Sequence, residues 1–201
     1  MSTPAPKVEF WYEFASTYSY LSAMRIEDAA RPAGVNVVWK PFLLGPIFFA
    51  QGWNTSPFNL YKAKGDYMVR DIERIGKERG LAFHLPDPFP QNSLLGARVA
   101  TALADQGQRA AFVKAVYVAE FAERRRIDDP AVLGECLGKV GADATATLQA
   151  TQSDAVKLAL RNETAEAQRL GVFGAPAFTT ANGELFWGDD RLDMAIRWAA
   201  T

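Results

Sequence analysis

This sequence of 201 residues predicts an α/β fold built on one small sheet and interrupted by a long helical excursion. Three observations carry that expectation. Residues 8–42 read strand, helix, strand; residues 59–170 are mostly helical; and strand signals return only near the end, as a hairpin followed by a helix.

The opening stretch VEFWYEF (8–14) has the two-residue period of a strand, with Val8, Phe10, Tyr12 and Phe14 on one side and Glu9, Trp11 and Glu13 on the other. A helix is expected from Thr17 to Ala30, with Tyr18, Leu21, Ile26 and Ala29 at helical spacing, the small Ser22 on their face and Ser16 as N-cap. Pro32 and Gly34 close it, and VNVVWKPF (35–42) reads as the second strand. A strand-helix-strand order favours parallel neighbours joined by a right-handed crossover.

Loops, rather than strands, divide the middle. LAFHLPDPFPQNS (81–93) is a proline-rich break in which Asn92 or Ser93 can cap the helix starting LLGARVATAL. Asp129 before Pro130 is a second start signal, and Gly171 is placed to end the last helix of the block. The runs AFTT and ELFW flank a turn containing Asn182-Gly183, a strong signal for a tight hairpin. A helix over 190–199 completes the chain, with one of Asp189 and Asp190 expected as its N-cap.

About half the residues are hydrophobic and the formal net charge is −1, so a sizeable core is expected and nucleic acid is a poor partner. MSTPAPKVEF is too polar for a signal peptide, and no apolar run approaches a membrane span. With a single cysteine, Cys136, no intramolecular disulfide is expected, and the location read from this is cytoplasmic. There is no Cys-x-x-Cys pair, which argues against thiol–disulfide exchange.

The chain has one histidine, His84, so a histidine-rich metal site is excluded; a loop or packing role is expected for it. Cys136 reads as a small buried hydrophobe, and ERRR (123–126) as a solvated helix end. Ser16 is of more interest. A strand feeding a helix start leaves backbone N–H groups aimed at one spot, where an anion is stabilised and a serine hydroxyl adds a mobile donor. A serine in that position is more often only a cap. Pro176, in GVFGAPAF, heads a strand after a Gly-x-x-Gly turn.

Taken together, FWYEFASTYSYL, WKPFLLGPIFFAQGWNTSP, YKAKGDYMVRDIERIGKERGL, FPQNSLLGAR, GVFGAPAF and FWGDDRLD resemble the kappa-class glutathione transferases, over nearly the whole chain. The resemblance implies a thioredoxin-like fold with a DsbA-type helical insertion. Residues 1–58 and 171–201 would form the thioredoxin-like domain, and 59–170 the insertion. It implies glutathione as cofactor, with Ser16 as the catalytic serine donating to the bound sulfur and Tyr18 close behind. Thr17 stands where the family commonly has proline. Asn54 and Lys64 match positions that contact glutathione or an acidic substrate. Pro176 matches a cis-proline, and Gly174 or Ala175, the latter preferred, lies where backbone pairs with the tripeptide. Asp189 and Asp190 match the pair that holds the γ-glutamyl end. Phe48, Phe49 and Trp53, in GPIFFAQGW, are candidate walls for a flat ring.

The activity implied is a glutathione-dependent isomerisation of an aromatic 2-oxo acid by reversible thiolate addition. The family reaction interconverts 2-hydroxychromene-2-carboxylate and trans-o-hydroxybenzylidenepyruvate in aromatic degradation, and relatives are commonly dimers. A transferase conjugating glutathione to electrophiles would share every cofactor contact. A non-catalytic thioredoxin-like binding module would also lack both motif cysteines. The acceptor pocket separates the first two, and glutathione binding separates both from the third.

Overall fold

A computed structural model describes residues 5–53 and 60–201. Strand β1 (Lys7–Tyr12) lies parallel to β2 (Asn36–Pro41), with Phe10 opposite Trp39. β1 is antiparallel to β3 (Ala177–Thr180), which forms a hairpin with β4 (Leu185–Trp187). Among the described residues the sheet therefore runs β2-β1-β3-β4, the two ends of the chain meeting at its centre. Gly183, at φ 86°, supplies the left-handed residue that the hairpin turn requires, and its N–H donates to the Thr180 carbonyl.

Both faces of the sheet are covered. Val8, Phe10 and Tyr12 enter the main apolar cluster, while Trp11 enters a second one with Phe42, Ile47, Val172 and Ala177. Trp11 satisfies its indole N–H on the Thr179 hydroxyl at 2.9 Å, as a buried indole should.

The helix expected over 17–30 is broken. α1 (Thr17–Ala23) and α2 (Ile26–Ala30) meet at Met24–Arg25, and a 3-10 turn over Arg31–Ala33 follows. Arg25 leaves helical geometry at φ −132°, and its guanidinium bonds Asp193 at 2.8 Å and the Asp189 carbonyl at 3.0 Å.

After β2 come α3 (Leu44–Ala50) and α4 (Lys62–Arg79). The block continues with α5 (Leu94–Ala102) and α6 (Gln106–Tyr117), the latter passing into a π-helical turn over Val118–Ala122. It closes with α7 (Pro130–Lys139), α8 (Ala144–Ala150) and α9 (Asp154–Arg169). Side-chain caps start four of these helices: Asp105, Asp129, Asp143 and Ser153 each accept an N–H from the first turn. Ser93 occupies the cap position of α5 but spends its hydroxyl on Glu13, and Asn92 takes the Leu94 N–H instead. The main cluster joins Phe10 and Phe178 of the sheet to Phe112, Val113, Leu133 and Leu137 of the helical block.

The end of the chain corrects one expectation. Asp189–Arg191 form a 3-10 turn before α10 (Leu192–Ala199), and neither Asp189 nor Asp190 is an N-cap. Gly188, at φ 107°, and Arg191 hold the two cap positions without side-chain cap bonds. The Asp189 carboxylate is turned inward to arginines instead.

Candidate active site

β1 ends at Tyr12, and a short turn delivers Ser16 to the N-cap of α1, where its Oγ accepts the Ser19 N–H at 3.2 Å. The same hydroxyl donates to the Ala175 carbonyl at 3.0 Å, across a separation of 159 residues. Ala175–Pro176 is a cis peptide bond at the head of β3, and the Pro176 carbonyl accepts the Gly188 N–H at 3.0 Å. Three predicted residues, Ser16, Ala175 and Pro176, thus converge at one end of the sheet. Ser16 and Ala175 are each partly exposed, so the hydroxyl is within reach of a ligand.

Gly174 is required here for a steric reason. A Cβ on it would lie 2.5 Å from Nε1 of Trp187, whose ring packs against Phe173 with centroids 4.9 Å apart. Both rings are about half exposed beside the Ala175–Pro176 bond.

Tyr18 lies one turn into this border. Its hydroxyl donates to Asp71 of α4 at 2.8 Å. Partial burial, the bond to Asp71 and the neighbouring Tyr67 and Asp190 all push its pKa up. Tyr18 is therefore a hydrogen-bond donor at working pH, not a base. Asp71 was not singled out from the sequence, although a signal exists: it falls seven residues after Lys64, on the same helical face. Lys64 is exposed about 10 Å further along that face and pairs with no described residue.

The two adjoining aspartates separate in role. Asp189 is 4% exposed, accepts from Ser22 Oγ at 2.9 Å and Arg79 at 2.7 Å, and has Arg25 Nε at 3.5 Å. Its carboxylate is a clamp between α1, α2 and α4. Asp190 is exposed, pairs with Arg191 at 3.0 Å and is close enough to Tyr18 to act on its pKa.

Phe48 and Trp53 pack on each other, centroids 5.5 Å apart, and Phe49 is 80% exposed. Asn54 lies outside the described residues. His84 is an exposed loop residue with Nδ1 3.5 Å from Arg124. Cys136 is buried in α7, where desolvation pushes its thiol pKa up. No group of potential metal ligands occurs among the described residues. Two open hollows of about 520 and 480 Å³ lie elsewhere, beside Lys7 and Asn182 and beside Arg31 and Asn36; Ser16 lines neither.

The DSBA-like thioredoxin domain family matches residues 7–196. A 2-hydroxychromene-2-carboxylate isomerase of Sphingobium xenophagum is 31% identical over 190 residues, covering 93% of this chain and 94% of that protein. Human glutathione S-transferase kappa 1 is 24% identical, covering 95% and 90%. A solved 2-hydroxychromene-2-carboxylate isomerase superposes with a TM-score of 0.82 at 29% identity, covering 94% of this chain and 91% of that one. The serine at the start of α1, set against the cis-proline loop, is therefore carried on a known scaffold, and the chain belongs to the DSBA-like thioredoxin family, beside its 2-hydroxychromene-2-carboxylate isomerases.

Proposed function

We propose that the protein is a glutathione-dependent isomerase that interconverts 2-hydroxychromene-2-carboxylate and trans-o-hydroxybenzylidenepyruvate. The observation that carries this reading is the Ser16 hydroxyl, held 3.0 Å from the Ala175 carbonyl in a chain whose lone cysteine is buried in a distant helix. Where a thioredoxin-like oxidoreductase places its own thiol, this protein presents only a donor. Such a donor suits a thiol brought by a ligand. The similarity to proteins named isomerase and kappa transferase supports the choice of glutathione and of the aromatic substrate.

The residues fit a γ-glutamyl tripeptide. Ser16 would turn its hydroxyl from the Ala175 carbonyl to the ligand's sulfur, stabilising the thiolate. The backbone beside Pro176 offers peptide pairing, Asp190 suits an ammonium and Lys64 suits a carboxylate. When bound, glutathione supplies the thiolate that adds to the conjugated enone, making its double bond single for rotation before leaving. Tyr18, held as a donor by Asp71, fixes the rim of the site. Asn54 and the Phe48, Phe49 and Trp53 rings are proposed to meet the substrate's carboxylate and ring.

The same reading takes the protein as a cytoplasmic homodimer acting in aromatic-ring degradation. No helix among the described residues is long and apolar enough to cross a membrane. A transferase using the same site is the second reading, favoured by the similarity to human kappa transferase. The test is the ultraviolet change of 2-hydroxychromene-2-carboxylate with purified protein. Conversion should require glutathione, and Ser16→Ala should slow it about 100-fold, the scale of losing one donor to a developing charge. Unchanged activity of Ser16→Ala would remove the role given to Ser16. Conjugation of an aryl halide without isomerisation would favour the transferase.

A further inference from the structure

Behind Ser16 lies a buried polar cluster that the reading above does not use. Glu13, 5% exposed, holds the turn that delivers the serine: its main-chain carbonyl accepts the Ser16 N–H at 3.0 Å and the Tyr117 hydroxyl at 2.9 Å. Its carboxylate accepts the Ala15 N–H and the Ser93 hydroxyl. One side chain thus ties β1, the Ser16 turn and the start of α5 together, while its main chain engages α6.

Polar groups from several elements gather around Glu13 and its partner Tyr117. Tyr12 comes from β1, Ser19 from α1, Ser93 from the cap of α5, Tyr117 from α6 and Glu120 from the π-helical turn. Glu120 is fully buried, and neither of its carboxylate oxygens has a partner; the Tyr12 hydroxyl is likewise unpaired. No lysine or arginine pairs with Glu13 or Glu120 among the described residues. Two carboxyls this close, without a cation, are not both ionised. A π-helical turn that carries one of them is itself a feature found often at functional sites.

We propose that Glu13 is a positioning residue whose charge is coupled to the anion held by Ser16: protonated Glu13 accompanies the anion, and ionised Glu13 opposes it. This rests on the reading of Ser16 as the thiolate site. A negative charge on Glu13 sits one turn of chain behind the serine, inside the protein, where solvent does not screen it. By linkage, an anion at Ser16 raises the proton affinity of Glu13, and a proton on Glu13 favours the anion equally. Burial, only partly offset by the Ser93 and Ala15 bonds, already pushes the Glu13 pKa up to about 7. The exchange therefore falls near neutral pH. Burial, and the charge of Glu13 when it is ionised, push the Glu120 pKa up in turn, so Glu120 stays neutral beside it.

The test has two arms on the full-length protein. The carboxyl carbon of Glu13, followed by nuclear magnetic resonance, should titrate near 7 in the free protein and about one unit higher with glutathione bound. Thiolate absorbance of bound glutathione should then be followed against pH in wild type, Glu13→Gln and Glu13→Asp. Glu13→Gln should lower the apparent pKa of the bound thiol by about one unit and remove the near-neutral inflection, and Glu13→Asp should restore it in part. A thiolate band present but identical in wild type and Glu13→Gln would overturn the coupling while leaving the Ser16 reading intact. Absence of the band in wild type would overturn both. The resonance arm needs no variant, and a Glu13 midpoint in the ordinary carboxylate range would overturn the proposal by itself.

Discussion

Asp189 and Asp190 are neighbours in the chain but sit in different media. Asp189 is buried between Ser22, Arg25 and Arg79, whereas Asp190 is in solvent beside Tyr18. Replacing the first by asparagine leaves two partly buried guanidiniums without their anion. Asp189→Asn should destabilise the fold by about 2 kcal/mol, measured by urea unfolding, because breaking such a pair costs more than the pair contributes. Asp190→Asn, by contrast, should leave stability within about 0.5 kcal/mol. Ser16 was legible because a cap is local chemistry, three residues of chain deciding it. The Asp189 clamp was not: its arginines lie 164 and 110 residues away, and nothing local announces them. Glu13 was read only as one side of an alternating strand. Its burial is set by Ser93 and Tyr117, both in the helical block.

The elements follow the same division. Strands and some helix starts were read, because period and cap residues are properties of a few consecutive positions. The Asp129-Pro130 start of α7 is one example, and the turn at Gly183 another. The break between α1 and α2 was hidden, since nothing in MRIEDAA breaks a helix. It coincides with Arg25 reaching Asp189 and Asp193 from the far end of the chain. The cis-proline loop depends on a close approach of the same kind. Gly174 makes room for the Trp187 indole, so Gly174→Ala must move the ring or the loop. We expect a loss of about 1–3 kcal/mol with a shift in tryptophan emission, and weaker glutathione binding through the displaced Ala175 carbonyl. Unchanged emission and stability would show that the loop has slack.

At the scale of the whole molecule, the polar cluster behind Ser16 is a cost that the surrounding core bears. Glu13 and Glu120 have pKa values raised by burial, Glu13 to about 7. In the unfolded chain both ionise near 4.5, so above that pH the native state binds more protons than the unfolded one. Their contribution is full below about 4.5 and is lost as pH rises toward 7 and beyond. Stability from these groups therefore falls with rising pH, opposite in sign to a salt-bridged carboxylate. Glu120→Gln removes one of them and should raise the melting temperature at pH 8 while changing it little at pH 4. The difference is read from thermal unfolding at the two pH values.

The strand and helix periods, the caps at Ser16 and Asp129, the hairpin, the absence of a cysteine pair and the serine at the start of α1 were all legible in the order of residues. All of these depend on residues within a few positions of one another. Packing alone brought the Ser16 hydroxyl to the Ala175 carbonyl, held Tyr18 on Asp71, made Asp189 a clamp and buried Glu13 and Glu120 in the same interior. Those contacts join β1, the helical block and the end of the chain, and burial, which sets the cost of a charge, exists only once all three have packed.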